Sequence, residues 1–220
     1  MKNVFPGFLF IIDLHRNEIS LARYYSKKMR TERLQAFSDG VLAIIITVML
    51  LEMKIPHGDE LDSLKPILPI FLSYILSFIY IGIYWSNHHH MMYSVKHVNG
   101  AVLWANTHLL FWLSLVPFAS GWMGENNFTK WPVVVYGIIL FMAGSAYYIL
   151  AQTLIKLHGK DSTLGRAIGK DKKGVISVVI YLISLAVAFF NPSISLILYA
   201  LVAAMWLIPD RRIEKTIVKE

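Results

Sequence analysis

The stretch RLQAFSDGVLAIIITVMLL, residues 33–51, decides the fold class of this chain. It begins with polar groups, including Asp39, and then continues as an almost wholly apolar run. As a helix rising 1.5 Å per residue, it is about 28 Å long, which is close to the thickness of a bilayer's hydrocarbon core. An ionisable group inside a membrane helix needs a bonding partner or water. We therefore interpret this stretch as a transmembrane helix whose first turns carry polar groups that need partners inside the protein or water.

The composition of the whole chain is that of an integral membrane protein. Of its 220 residues, 56% are apolar and 16% are charged, and the mean hydropathy is +0.53. Soluble domains carry about 25% charged residues, and one soluble core of this length could not bury so much apolar surface. The absence of cysteine excludes disulfides, thiolate metal sites and a cysteine nucleophile.

Uncharged apolar runs predict five further transmembrane helices, making six per subunit. The predicted spans cover residues 34–51, 67–85, 101–123, 131–155, 175–190 and 194–208. The last two are only about 15 to 16 residues long, below the roughly 20 of a typical span, and a tight Asn191-Pro192 turn joins them. Continuous apolar runs exclude a β-barrel, whose strands alternate polar and apolar residues. The predicted fold class is all-α integral membrane.

The basic residues predict a multi-pass protein of the cell membrane with both termini in the cytoplasm. Lysine and arginine accumulate on the cytoplasmic side, and six crossings place 18 of the 21 on the side of the termini. Membrane topology thus accounts for the basic charge, and nucleic acid is not an expected partner. We expect a basic, interfacial N-terminal segment over residues 1–32, a six-helix transmembrane domain over 33–209 and a basic cytoplasmic tail over 210–220.

Helical geometry divides the first span into two faces. At 100° per residue, Ile44, Val48 and Leu51 fall within an arc of about 60° that nearly includes Thr47, and Asp39 points about 140° away from Ile44. The apolar stripe can face lipid, a neighbouring helix or a pore axis. The Asp39 side must then face the protein, where the carboxylate is either functional or a buried structural group.

The run Trp85-Ser-Asn-His-His-His90 at the end of the second span is the other polar cluster. Three adjacent histidines suggest a metal site, but neighbours on a helix point 100° apart and cannot converge on one ion. We therefore expect no bound metal and no cofactor. A hydrogen bond from His88 or His89 to Asp39 is the favoured interpretation, because both lie at the same membrane depth.

Together these two clusters resemble the transmembrane protein 175 family of potassium channels. The shared motifs are Arg33-x-x-x-Phe37-Ser38-Asp39 at the start of the first span and Trp85-x-x-His88-His89 at the end of the second. The resemblance to the single-repeat, prokaryotic form covers residues 33–208. It implies a homotetramer in which four copies of the first helix surround one central pore, without a carbonyl selectivity filter. Independently, the sequence has no segment like Thr-Val-Gly-Tyr-Gly from which such a filter is built.

The resemblance also assigns roles to residues by position. The implied pore-lining residues are Ile44, Thr47, Val48 and Leu51. The implied structural network, which holds the first helix in register, consists of Arg33, Phe37, Ser38, Asp39, Trp85, His88 and His89.

These assignments predict passive potassium conduction through a hydrophobic constriction. Rings of Ile44 and Leu51 would exclude hydrated ions and gate by dewetting, and a ring of Thr47 hydroxyls would favour potassium modestly over sodium. The expected partners are further copies of the chain, potassium ions and the lipid bilayer. A secondary transporter is the alternative, although repeats and broken helices are its usual signs. A membrane enzyme is disfavoured because no activated nucleophile or open metal triad can be assembled by spacing.

Overall fold

The computed structural model describes residues 31–168 and 172–207. The predicted C-terminal tail, and the predicted N-terminal segment apart from residues 31 and 32, lie outside these ranges. The described residues form α-helices, with no strand among them. These are α1 (Thr31–Leu51), α2 (Leu68–Tyr93), α3 (Gly100–Ser114), α4 (Val116–Glu125), α5 (Lys130–His158), α6 (Thr163–Ile168), α7 (Lys172–Ala188) and α8 (Pro192–Leu207).

Four stretches of helix are long and apolar enough to cross a membrane. They are Thr31–Leu51, Leu61–Tyr93, Gly100–Glu125 and Lys130–His158, where Leu61–Tyr93 joins a 3-10 turn to α2. Helices α7 and α8 are apolar but have only 17 and 16 residues. Four of the predicted spans are therefore confirmed as apolar helices of membrane-spanning length. That α7 and α8 also cross stays a prediction.

The third predicted span consists of two helices. Helix α3 ends at Ser114 and α4 begins at Val116, with Leu115 between them and Pro117 in the first turn of α4. Proline has no backbone N–H and its ring clashes with the preceding turn, which kinks or breaks an α-helix at this point. Pro117 thus divides the span near its middle.

Local capping marks the start of α3, the end of α5 and the start of α8. The Asn99 side chain accepts a hydrogen bond from the Val102 N–H at 3.0 Å and caps the start of α3. At the end of α5, Gly159 has a φ of 90°, and its N–H donates to the Ile155 carbonyl at 2.8 Å. The Asn191 side chain accepts from the Ser193 N–H at 3.1 Å and so begins α8 immediately after α7.

Hydroxyl groups join the helices inside the bundle. The Ser77 hydroxyl of α2 donates to Ser120 of α4 at 2.9 Å and lies 3.0 Å from the hydroxyl of Tyr136 of α5. Tyr80, one turn further along α2, donates to the carbonyl of Tyr199 of α8 at 2.6 Å. Because lipid offers no competing partners, such bonds hold membrane helices in specific pairs.

Helix α5 meets α8 at a glycine. The ring of Tyr199 lies across Gly137, and a Cβ placed there would overlap the Tyr199 hydroxyl. The same hydroxyl donates to the Val133 carbonyl of α5 at 3.4 Å. Only the absence of a side chain at Gly137 allows this close approach.

The outer surface of the bundle is strongly apolar. Large side chains such as Phe71, Trp104, Leu182 and Phe190 are exposed, and similar residues occur on every long helix. Soluble proteins seldom expose contiguous apolar surface on this scale, whereas lipid tails solvate it. The chain is a membrane protein.

Candidate functional site

Helix α1 has one face packed on the bundle and one face that nothing in the subunit covers. Its packed face buries Leu34, Ser38, Leu42, Ile45 and Met49. Of the predicted pore-lining side chains, Ile44 is 64% exposed, Val48 is 37% exposed and Leu51 is 76% exposed, and Thr47 is exposed as well. The two faces predicted from helical periodicity are thus the two faces of α1 in the structure.

The exposed threonine of this stripe is oriented as a hydrogen-bond acceptor. Its hydroxyl donates to the Ala43 carbonyl one turn earlier, at 2.9 Å. The proton of the hydroxyl is therefore directed into the helix, and the lone pairs of Oγ1 remain available on the free side. An oxygen in this state can coordinate a cation.

A chain of buried hydrogen bonds ties the start of α1 to α3 and α2. The Asn106 amide donates to the Ser38 hydroxyl at 3.0 Å, and Ser38 in turn donates to the Leu34 carbonyl at 2.9 Å. The amide oxygen of Asn106 lies 2.7 Å from Nε2 of His88. Because Asn106 uses its NH₂ group for Ser38, its oxygen accepts and His88 carries its proton on Nε2. The bonds thus run in one direction across three helices.

Two further side-chain contacts join α1 to α2. The Trp85 indole donates to the Asp39 carboxylate at 3.1 Å, and Gln35 Nε2 lies 2.8 Å from Nδ1 of His89. The expectation that His88 or His89 bonds Asp39 is therefore wrong. In the structure, tryptophan satisfies the carboxylate and each histidine has an amide partner instead.

The remaining members of the predicted network lie apart from these bonds. Arg33 and Phe37 are exposed, on the side of α1 that faces the beginning of α3. With Val98 and Leu103 they line an open groove of about 690 Å³. Within the part of the chain that the structure describes, Arg33 makes no ion pair or hydrogen bond to the other network residues, so its predicted structural role stays a prediction.

The side chains of the histidine run point in different directions. His88 points into the bundle, while His89 lies beside Trp85, with ring centroids 6.1 Å apart. Over residues 31–168 and 172–207, no three histidine or carboxylate side chains are grouped as metal ligands.

Sequence reasoning missed two members of the hydrogen-bonded cluster, Asn106 and Gln35. Asn106 is fully buried and joins two predicted network residues. The sequence offers a way to find it, because Asn106 is a polar residue near the predicted cytoplasmic end of the third span. Ser38 and His88 lie at the predicted cytoplasmic ends of the first and second spans, at about the same depth. Gln35 lies inside the signature itself, at a variable position of the motif.

Comparison with known proteins identifies the family. The family described as "Endosomal/lysosomal potassium channel TMEM175" matches residues 33–117, which include α1 from its third residue, the polar cluster and α2. A protein of Chryseobacterium sp. (strain P1-3) named as a potassium channel is 55% identical over 189 residues, covering 86% of this chain and 98% of that protein.

A solved structure and an animal protein extend the comparison. The crystal structure of a "lysosomal potassium-selective channel TMEM175 homolog" from Chamaesiphon minutus matches with a TM-score of 0.71 and 27% identity, over 83% of this chain and 98% of that one. The human protein named "Endosomal/lysosomal proton channel TMEM175" is 28% identical over 71% of this chain and 32% of its own length. These relatives are named as ion channels, which confirms the prediction that the chain is not an enzyme. The chain belongs to the TMEM175 family of potassium channels.

Proposed function

We propose that this chain is one of four identical subunits of a potassium-permeable cation channel, with α1 of each subunit lining a central pore. The observation that carries the proposal is the division of α1. Its polar groups bond inward to α2 and α3, whereas Ile44, Val48 and Leu51 lie on a face that the subunit leaves uncovered. The name of the Chryseobacterium relative supports potassium as the conducted ion.

The constriction is formed by side chains in this proposal. Rings of Ile44 and Leu51 make the narrow, dry part of the pore, and widening the bundle lets water and ions enter. Four Thr47 oxygens, whose protons are directed to Ala43, replace part of the hydration shell of the ion. One such ring offers few oxygens, so selectivity for potassium over sodium is modest.

The topology of the proposal follows from charge and helix lengths. All six predicted spans cross the membrane, with α7 and α8 forming a short hairpin. The channel lies in the cell membrane, and both termini lie in the cytoplasm. Arg33, Phe37, Ser38, Asp39, Trp85, His88 and His89 hold α1 in register and do not contact the ion.

Removing the Leu51 ring is expected to increase conduction. In planar bilayers with potassium on one side and sodium on the other, Leu51→Ala should raise the conductance at least about tenfold, which corresponds to about 1.4 kcal/mol of barrier. The matched control is Leu50→Ala, since Leu50 is an exposed leucine of the same helix outside the stripe.

Thr47→Ala should move the potassium-to-sodium permeability ratio towards unity. Its control is Thr153→Ala in α5, where the exposed hydroxyl makes the same bond to its own helix, at 2.7 Å.

Unchanged conductance and permeability ratio in both variants would move the conduction path away from α1. A flux that saturates and requires a second solute would instead support the transporter alternative.

A stripe of small residues on the free face of α1 supports close approach of the four helices. Its members, at helical spacing and all exposed, are Ala36, Gly40, Ala43 and Thr47. Small residues at this spacing let membrane helices pack closely. A side chain at Gly40 would meet nothing within 4 Å inside the subunit.

Gly40→Leu is therefore expected to block assembly and leave the subunit fold intact. Light scattering of the purified protein should show loss of the tetramer, with helix content by circular dichroism unchanged. Gly82→Leu is the control, because a side chain there also meets nothing within 4 Å but lies on α2. A Gly40→Leu tetramer as stable as the wild type would contradict the proposed arrangement.

A further inference from the structure

A second groove lies beside the predicted pore stripe and shares Ile44 and Val48 with it, between the last three turns of α1 and helix α4. Its volume is about 600 Å³, within the range of sites that hold drug-sized molecules. Its walls are apolar along most of their length. They are formed by Val41, Ile44, Ile45 and Val48 of α1 and by Pro117, Phe118 and Trp122 of the opposite side.

One end of this groove is acidic. Glu52, at the end of α1, and Glu125, at the end of α4, both line it. Glu125 has a cationic partner, Lys54, at 3.5 Å, whereas Glu52 makes no ion pair among the residues that the structure describes. The Glu52 carboxylate leans over α4, with Oε2 3.9 Å from the position of a Cβ on Gly121. This end of the groove therefore carries a net negative charge next to apolar walls.

Two aromatic rings lie on the α4 wall, one turn below the carboxylates. Phe118 and Trp122 are stacked, with centroids 6.1 Å apart and planes inclined by 28°. The faces of such rings attract cations, Trp most strongly, and the attraction grows when the cation leaves water. A positive group that is paired with Glu52 can extend an apolar body along Phe118 and Trp122.

We propose that this groove binds an amphiphilic organic cation, with an ammonium group at Glu52 and an aromatic or alkyl body between α1 and α4. Charge complementarity selects this occupant. An acyl chain or the apolar residues 41–51 of a second α1 can fill the apolar length, but neither carries a positive charge to pair with Glu52.

Binding at this position affects conduction, and this step rests on the proposed function. Ile44 and Val48 belong both to the groove wall and to the predicted pore stripe. A ligand in the groove therefore contacts two side chains of the predicted pore stripe of α1 directly. Site occupancy itself does not depend on where ions pass.

Photolabelling with a benzyltributylammonium probe that carries an aryl azide tests the site. The full-length protein in liposomes is labelled, digested and analysed by mass spectrometry. We expect adducts on the α4 segment that contains Phe118 and Trp122. Glu52→Gln should weaken labelling about tenfold, the effect of about 1.4 kcal/mol. Glu60→Gln, which removes the same charge from an exposed loop residue outside the groove, should leave labelling unchanged.

The result is separable from the test of the channel. Labelling of the groove in a protein that conducts no potassium would support the site and refute the proposed function. Adducts confined to Thr47 and Leu51 would show a block of the central pore and overturn the inference. An absence of adducts in a conducting protein would also overturn it, because lipid or a second copy would then cover the groove. Labelling that Glu52→Gln leaves unaltered would overturn it as well.

Discussion

Gly137→Ala is expected to destabilise the subunit more than any other single methyl group added to α5. The new Cβ would overlap the hydroxyl and Cζ of Tyr199 and approach Leu185 at 3.0 Å. Tyr199 cannot retreat easily, because it is fully buried and its carbonyl accepts the Tyr80 hydroxyl at 2.6 Å. Helices α5 and α8 must separate, at a cost of about 1–3 kcal/mol or more for an overpacked core.

The measurement is unfolding of the purified protein in mixed micelles by added denaturing detergent. Gly144→Ala is the matched control on the same helix, because its Cβ meets Tyr84 at 3.7 Å and Tyr181 at 3.9 Å, which are ordinary contacts. The double variant Gly137→Ala/Tyr199→Leu should regain part of the lost stability, since it removes the overlapping atoms. Equal stability of the two alanine variants would show that α8 does not pack on Gly137 as the structure has it.

Asn106→Leu is expected to loosen α1 from the bundle. Leucine has the same branched shape but cannot form either hydrogen bond of the Asn106 amide, so Nε2 of His88 joins Nδ1 in having no partner and Ser38 loses its donor from α3. Interhelical hydrogen bonds in membranes contribute about 0.6 kcal/mol on average and up to about 1.7. Orphaned buried groups add a further penalty of about 1–3 kcal/mol. The total loss should therefore be about 2–4 kcal/mol.

The same detergent titration measures this loss, and Thr107→Val is its control. Thr107 is the next residue on α3, but it is exposed and donates only to Leu103 of its own helix, at 2.9 Å. We also expect Asn106→Leu to reduce the fraction of the proposed tetramer, because α1 would no longer be presented in one orientation. If the fraction of tetramer and the unfolding midpoint of Asn106→Leu both equal those of Thr107→Val, Asn106 does not hold α1 in place.

Periodicity in the sequence was sufficient to divide α1 into faces. Successive residues of a helix are rotated by 100°, so the position of Asp39 identifies the side of α1 that faces the protein. The stripe from Ile44 to Leu51 then lies on the opposite side. The long spans could be predicted for a similar reason, since their length is set by the bilayer. Pro117 could also be recognised as a breaker, because the missing N–H is a property of the residue itself.

The partners of the polar groups could not be predicted in the same way. They depend on how neighbouring helices are rotated and shifted relative to each other, which side-chain packing decides. Asp39 therefore bonds Trp85, although the histidines lie on the next turn of the same helix. Gln35 and Asn106 form hydrogen bonds with those histidines but carry no charge, so a search for ionisable groups does not find them.

The side-chain bonds that hold α1 are all located at one end of it. Gln35, Ser38 and Asp39 bond α2 and α3, whereas no side chain from residue 41 to residue 51 bonds another helix within the described chain. Hydrogen bonds thus fix the base of α1, whereas apolar packing of Leu42, Ile45 and Met49 alone holds the rest of the helix. From Asp39 to Leu51 this part is about 18 Å long, so a tilt of about 10° displaces its tip by about 3 Å. In the proposed tetramer, a small rotation at the base of each α1 would therefore change the pore diameter by several ångströms.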